Sequence, residues 1–559
     1  MKILNYFTKP FLLTYYLLLI TYYFPSASFA QEENLQLEDF DYWANLCSSL
    51  SEVEEYEEAI KACNTAITIN AKDSIVWTDR GDIYLTLKNY PETVASYSQV
   101  LKLDPNNSLI WARQCLALSE LGRQEEAIDA CETALKKDQN WEDESPAIAL
   151  TYLGIARRRT GEREDALFSY DQATTINENY ALAWANRCEV LAELGDNYRA
   201  LEACDRALSI EPNPDLQSQA VAWANKGRVL AKLQRRDEAL FAYDQALAID
   251  SENARNWTEH GEILFTLARY EEAQASHDWA LGINEKYSLA LANKCAVLNR
   301  LQMYEEALEA CDLALQEGDG QWNEFGPALG WNQRAYALIG SGSFQEAVTS
   351  SNRAVALDDN YAEAWSNRAA ALWRLGRFDQ ALIAAQKATQ SDGNDPTGWY
   401  NLGRIHTTLG EYDAAFASYN RGLQGNENLD NRPIIANIWV NKSSLLWRLE
   451  RYGEAIQAAD NALTLDPQLA EAWYNKAISL MAIGQYSTAL GNYDRAIAID
   501  PENADFWAGK GIALRYLGQY PAALEALNKA LEFNEAHSLA LINRDIVLSK
   551  LPQSMINDR

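Results

Sequence analysis

The chain runs to 559 residues, 48% hydrophobic, 11% aromatic and 23% charged, with a formal net charge of −31. That acidity disfavours capture of nucleic acid or anionic lipid by general charge attraction. One globular core would not serve this length, which calls for several domains or for an architecture that grows along an axis.

The N-terminus opens with Lys2 and Lys9, an apolar run from Phe11 to Phe24, and small residues at Ser28 and Ala30. A positive start, a short apolar core and small residues at −3 and −1 describe a secretory signal peptide over 1–30, cut before Gln31. The run falls short of the roughly 20 apolar residues that a spanning helix needs. Export to the periplasm or the extracellular space is therefore expected. The alternative is an uncleaved membrane anchor from Phe11 toward Ala30. A short acidic lead-in, 31–38, follows.

From residue 39 onward a tryptophan returns at steps of 34, beginning with Trp43, Trp77 and Trp111 and ending with Trp439, Trp473 and Trp507. Leu150, Leu291 and Leu541 take the same slot where tryptophan is missing. Counting each such residue as zero, alanine recurs at +16 (Ala59 to Ala523) and at +23 (Ala66 to Ala530), and glycine often stands at +11. Large apolar residues at zero, +7 and +10 (Trp473, Leu480 and Ile483) give a first helix one apolar face. Glycine at +11 supplies the left-handed C-terminus of that helix. A second helix is predicted from about +14 to +26, where small alanines let backbones approach. Two short helices cannot bury their faces alone, so the unit must stack on its neighbours.

This pattern resembles the tetratricopeptide repeat family, whose signature runs from tryptophan through leucine-glycine to tyrosine, alanine, phenylalanine and proline. The segment Trp399-Tyr400-Asn401-Leu402-Gly403, with Ala415 and Tyr419, carries the match best. The resemblance implies an all-α, right-handed superhelical solenoid over 39–536. It holds fourteen repeats, a capping helix over 537–551 and a tail over 552–559. One departure stands out: where the family has leucine at +3, most units carry Arg, Lys, His or Gln, from Arg80 to Lys510.

The eight cysteines form four pairs, each 16 apart: Cys47 and Cys63, Cys115 and Cys131, Cys188 and Cys204, Cys295 and Cys311. All occupy +4 and +20, positions level with one another in an antiparallel hairpin. Elsewhere these two slots share volume, with Gly81 beside Tyr97, Gly403 beside Tyr419 and Ala369 beside Ala385; Ala477 with Tyr493 and Gly511 with Leu527 fit less tidily. Cysteine as a mere small hydrophobe is the bland account. In an exported protein, disulfides within each repeat are expected instead. Each would contribute roughly 3 kcal/mol in the chain-entropy model.

The period lengthens between Trp111 and Leu150, Trp184 and Trp223, Leu291 and Trp331, and Trp399 and Trp439. These inserts are expected to be longer inter-repeat loops followed by a helix begun early, with Trp141 and Trp322 covering hydrophobic edge.

No phosphate-binding glycine loop, His-Glu-x-x-His or nucleophile motif occurs. His260 and His277, with Glu259 and Glu262 nearby, are the one conceivable metal cluster, but +3 is polar throughout and +20 is a packing slot. A non-catalytic protein without metal or cofactor is expected.

The family resemblance implies that first helices line a concave groove. Asparagine recurs there at +2, including Asn45, Asn186, Asn225, Asn293, Asn367, Asn401, Asn441, Asn475 and Asn543, with Asn332 one residue short of the slot. Such a row either grips the backbone of an extended peptide, since an amide both donates and accepts, or ties neighbouring helices together. At +9, Glu120 and Arg159, or Glu193 and Lys232, have the spacing to pair between neighbours. From repeat eight onward no acid alternates with the arginines. The peptide-binding surface is accordingly placed on repeats ten to thirteen, at Asn367, Asn401, Asn441, Asn475, Trp373, Arg374, Arg404, Trp447 and Arg448. Its expected partner is a protein segment, acidic or a chain end. Self-association into an envelope structure is the alternative.

Overall fold

The computed structural model describes residues 39–137, 141, 145–210, 216–323, 326–424 and 431–551. The expected leader, lead-in and tail lie outside these residues. The described residues hold 29 α-helices and no strand. They divide into two compact units, one ending at Ser251 and one starting at Glu252. The first contains six helix hairpins, α1 (Phe40–Glu52) to α12 (Arg236–Ile249). The second contains eight, α13 (Ala254–Thr266) to α28 (Tyr520–Phe533), closed by α29 (Ser538–Leu548). No described helix is long and apolar enough to cross a membrane.

Within each hairpin the offsets translate directly into packing. The alanines at +16 and +23 are buried wherever they occur (Ala59, Ala66, Ala489 and Ala496 are all fully covered), and +7 is a core leucine in most repeats. The +10 slot departs from expectation. Ile483 is 45% exposed, because this residue is the C-cap of its helix rather than part of the buried face. At +11 all fourteen hairpins take the left-handed conformation. Eight use glycine, and six place another residue there: Glu54, Lys88, Gln234, Ala268, Gln302 and Glu450.

Tryptophan owes its place at zero to both ends of its ring. The indole packs against alanine and leucine of the preceding hairpin, as Trp473 does with Ala462 and Leu463. Its N–H closes the inter-repeat turn by donating to the carbonyl six residues earlier, from Trp77 to Ala71 at 3.0 Å through Trp507 to Pro501 at 2.8 Å. A large apolar body with one polar tip suits a half-buried seam.

The +4 and +20 slots do face each other. Disulfides join Cys47 to Cys63, Cys115 to Cys131, Cys188 to Cys204 and Cys295 to Cys311, with Cα atoms 5.0–5.5 Å apart. Where +4 is glycine the tyrosine ring lies flat against it: a Cβ on Gly227 would meet the Tyr243 ring at 2.9 Å. Gly511 and Leu527 obey the same rule at 2.6 Å. Tyr493 escapes it, since its ring reaches forward over Gly509 of the next repeat, which stands where asparagine is usual.

The inserts behave largely as expected. Helices α11 (Leu216–Lys232) and α23 (Arg432–Arg448) gain a turn at their N-termini, and α17 (Gly326–Gly340) part of one. Trp141 is buried against Ala112, Ala134 and Ile148, while Trp322 packs on Leu291, Ala292 and Ala314. Both cover seam.

Candidate functional site

The polar +3 residue explains itself once neighbouring hairpins are stacked. Its cation lies near the tryptophan of its own repeat and pairs with an aspartate at +21 of the repeat before. Examples are Lys476 with Asp460 at 2.6 Å and Lys510 with Asp494 at 2.8 Å. Asparagine replaces that acid four times, at Asn64, Asn352, Asn420 and Asn528. Lys442 then bonds Asn420 at 2.7 Å, and partial burial holds its pKa below the usual lysine range.

The asparagine row is largely spent on the protein itself. The Nδ2 groups of Asn225, Asn401 and Asn475 donate to the carbonyls of Ala185, Ser366 and Val440, each in the preceding repeat, at 2.7–3.1 Å. Asn441 donates to Asn437 of its own helix, and Asn367 to Asn332 Oδ1 at 2.8 Å. Asn401 and Asn475 are moreover buried. Their geometry is that of a tie between neighbours. The first helices are thereby drawn onto one another within each unit, while second helices make no comparable contact among themselves. The first-helix face is the inner one.

At the other end of those helices the predicted basic line is partly assembled. Trp373, on α19 (Ala362–Arg374), donates its N–H to Thr408 Oγ1 at 2.9 Å. Arg404, on α21 (Pro396–Leu409), lies over the Trp373 ring at 3.8 Å and within 5.2 Å of Tyr400. Arg374 lies 5.8 Å from Phe344. Trp447 and Arg448 stand on α23, both exposed, and take no part in this stack. None of the three arginines meets a carboxylate among the described residues. In the first unit the +9 slot is different. Arg159 pairs with Glu120 at 2.7 Å, as its spacing suggests. Glu193 and Lys232 do not pair: Arg158 and Arg163 hold Glu193, and Lys232 donates to the Ala192 carbonyl. Two arginines flanking the hairpin turn of the preceding repeat reach Glu193 first.

A concavity lies earlier than the predicted surface, on repeats seven to twelve, and shares with the predicted set only Asn367. Two adjoining hollows of about 320 and 380 Å³ meet at Phe265, Gln333 and Glu363. In the larger one Asn332 donates to Tyr361 Oη at 3.1 Å and to Glu363 Oε2 at 3.3 Å. Arg300 lies near the rings of Phe265 and Tyr336. Glu363 is exposed at the rim, and the protein around it together with the Asp395 carboxylate raises its pKa.

The smaller hollow holds what sequence reasoning missed. His277 is fully buried against Gly261, and neither ring nitrogen has a hydrogen-bond partner among the described residues. Burial, with His260 and Lys294 nearby, pushes its pKa down to about 3. His260 instead bonds Ser276 at 2.9 Å, and no group of three ligands able to hold a metal occurs among the described residues. The available signal was that Gly261 stands at +4 with neither tyrosine nor leucine at +20.

Family models described as tetratricopeptide repeat match residues 78–144, 180–252, 332–396, 396–468, 440–503 and 474–538. Anaphase-promoting complex subunit 3 of Schizosaccharomyces pombe is 22% identical over 188 residues, which are 33% of this chain and 28% of that protein. The chain thus spans little more than a quarter of that relative's length. Among solved structures, the APC/C hetero-tetramer Cut9–Hcn1 is 15% identical, covering 91% of this chain and 96% of its own, with a TM-score of 0.48. YrrB, a TPR protein with an unusual peptide-binding site, is 24% identical over 35% of this chain and 97% of its own, with a TM-score of 0.29.

Proposed function

The chain belongs to the tetratricopeptide repeat family, and on that premise we propose that it is an exported, non-catalytic scaffold that holds an extended protein segment on the inner face of its second unit. One observation carries the reading. In a protein of net charge −31, Arg374, next to the Arg404–Trp373 stack, and Arg448 are exposed at the ends of first helices and meet no carboxylate among the described residues. Arginine and tryptophan are the usual anchors of interfaces, and exposed arginine favours an acidic segment or a terminal carboxylate. Asn367 and Asn441, only partly buried, are placed to contact the segment's backbone.

The test is the double charge reversal R374E/R448E, followed by crosslinking capture of partners in the protein's own compartment. Capture should fall at least tenfold with helicity unchanged. Capture equal to wild type overturns the placement of the surface.

A second reading draws on the end of the second unit, where Leu539 and Ile542 of α29 are 54% and 57% exposed. That apolar edge suits end-to-end self-association. Mass that rises with concentration, and persists in R374E/R448E, would favour it.

A further inference from the structure

Several seams of the solenoid set an aspartate at +21 against the cation at +3 of the next repeat, from Arg187 with Asp171 at 2.6 Å to Lys510 with Asp494 at 2.8 Å. In repeats nine, ten and eleven an amide replaces that acid, at Asn352, Gln386 and Asn420, and the next residue is a cation each time: Arg353, Lys387 and Arg421. An amide keeps the shape of the acid and removes its charge. These residues lie on three consecutive second helices, α18 (Phe344–Leu357), α20 (Phe378–Ser391) and α22 (Tyr412–Gly422), and all three cations are exposed. Arg353 and Lys387 have no hydrogen bond or ion pair among the described residues, and Arg421 meets the amide of Gln424 at 3.1 Å.

The +3 cations of these seams are equally short of acid. Arg368, which stands to Asn352 as Lys476 does to Asp460, makes no hydrogen bond among the described residues, and burial holds its pKa below the usual arginine range. Lys442 bonds Asn420 at 2.7 Å; Glu454, whose field reaches it, is held by Arg451 at 2.7 Å. Beside the asparagines at +21 in repeats one and fourteen, by contrast, the chain supplies a carboxylate: Glu92 takes Arg80 at 2.8 Å and Glu532 takes Lys529 at 2.7 Å. A partly desolvated cation without a counter-charge is costly, and here the counter-charge has been removed at three successive repeats.

We infer that the outer surface of repeats nine to twelve binds an acidic protein segment, whose carboxylates, separated by uncharged residues, supply the charge that Asn352 and Asn420 lack. A guanidinium fork takes a carboxylate through two parallel hydrogen bonds, which suits Arg353 and Arg368. The half-buried rings of Trp331 and Trp439, 4.3 Å from Arg353 and 4.6 Å from Lys442, offer apolar contact to the residues between the acids. The cations come one to each second helix, and Glu346 and Asp379 stand exposed in the first turns of α18 and α20. A polymer charged at every unit would meet those acids as well as the cations, whereas separated carboxylates pass them by. First helices carry Arg374 and Arg448, so this surface is distinct from theirs.

The probe is a blocked, dye-labelled peptide of repeated Glu-Ser-Gly units, titrated into the full-length protein at low salt and read by fluorescence anisotropy. Saturable binding with a Kd of about 0.1 mM is expected, weakening as salt is raised. The Gln-Ser-Gly counterpart should bind at least tenfold more weakly. N352D/N420D, which recreates the pairing of Lys476 with Asp460, should also lose at least tenfold, with melting unchanged or higher. R353Q/K387Q, altered at two exposed side chains, should lose at least tenfold with helicity unchanged. R374E/R448E should bind the peptide as wild type does, whether or not the inner face captures a partner. No saturable binding, equal binding of the glutamine peptide, or wild-type binding by N352D/N420D and R353Q/K387Q would each overturn the inference. Loss of binding in R374E/R448E would overturn it by moving the peptide to the inner face. Displacement of the peptide by polyphosphate at lower concentration, counted per charge, would overturn the choice of a protein segment as occupant.

Discussion

The volume shared between +4 and +20 can be tested at Gly403 and Tyr419. An added Cβ on Gly403 would come within 2.6 Å of Tyr419 Cδ1 and 2.9 Å of its Cζ. The ring cannot swing away, because Tyr419 is fully buried among Ala415, Ile438 and Leu445 and its hydroxyl meets Thr407. Overpacking of this kind costs about 2 kcal/mol, against about 1 kcal/mol gained from replacing a mid-helix glycine by alanine. G403A should therefore lose about 1 kcal/mol, and Y419A, which empties the slot, about 4 kcal/mol. In G403A/Y419A the clash is gone and the helix gain remains, so the double variant should lose about 3 kcal/mol rather than the additive 5. The coupling, about 2 kcal/mol, is well beyond the scatter of independent sites. Small pairs already occur naturally, as fully buried Ala369 and Ala385 show. A long repeat array need not unfold in one step, so the assay is hydrogen exchange read on peptides covering α21 and α22 (Tyr412–Gly422). Additivity within about 0.5 kcal/mol, or a G403A variant more protected than wild type, would refute the reasoning.

Ala268 holds a left-handed φ of 57° at an exposed hairpin turn, and A268G should stabilise repeat seven by about 0.5–1 kcal/mol, since glycine removes the Cβ strain at some cost in backbone entropy; slower exchange in α13 is the readout. Non-reducing mass mapping of isolated protein should find Gln31 at the N-terminus and the links Cys47–Cys63, Cys115–Cys131, Cys188–Cys204 and Cys295–Cys311; an intact Met1 or eight free thiols would count against export. His277 has a folded pKa of about 3, below its ordinary 6.5, so below pH 6.5 the unfolded state takes up the proton first. Its stabilising contribution is present above 6.5 and falls as pH drops toward 3, at up to about 1.4 kcal/mol per unit. Hydrogen exchange of α14 (Tyr270–Ile283) should accelerate over that window in wild type and lose this component in H277Y.

Most of the fold was legible because each hairpin's contacts recur at fixed distances along the sequence. The alanines at +16 and +23, the cysteine pairs 16 apart and the break at +11 all report partners within one hairpin, and periodicity exposes them without coordinates. The same logic placed Arg159 on Glu120 and the insert tryptophans on the seam. It failed where several groups compete for one partner across a seam. Spacing allowed Lys232 to meet Glu193, but Arg158 and Arg163 reach that carboxylate first. It permitted Asn401 and Asn475 either to face a ligand or to tie repeats; only the rotation of one first helix against the next turned their amides onto Ser366 and Val440. The poor fit of Tyr493 with Ala477 was visible in the sequence, but its cause was not: the ring turns to Gly509, which opens room in the next repeat. The hollow beside His277 is of the same kind. A missing tyrosine at +20 can be read from the sequence, but whether neighbours close over the gap depends on how four first helices, one second helix and an insert pack around it, and that is a property of the tertiary structure alone.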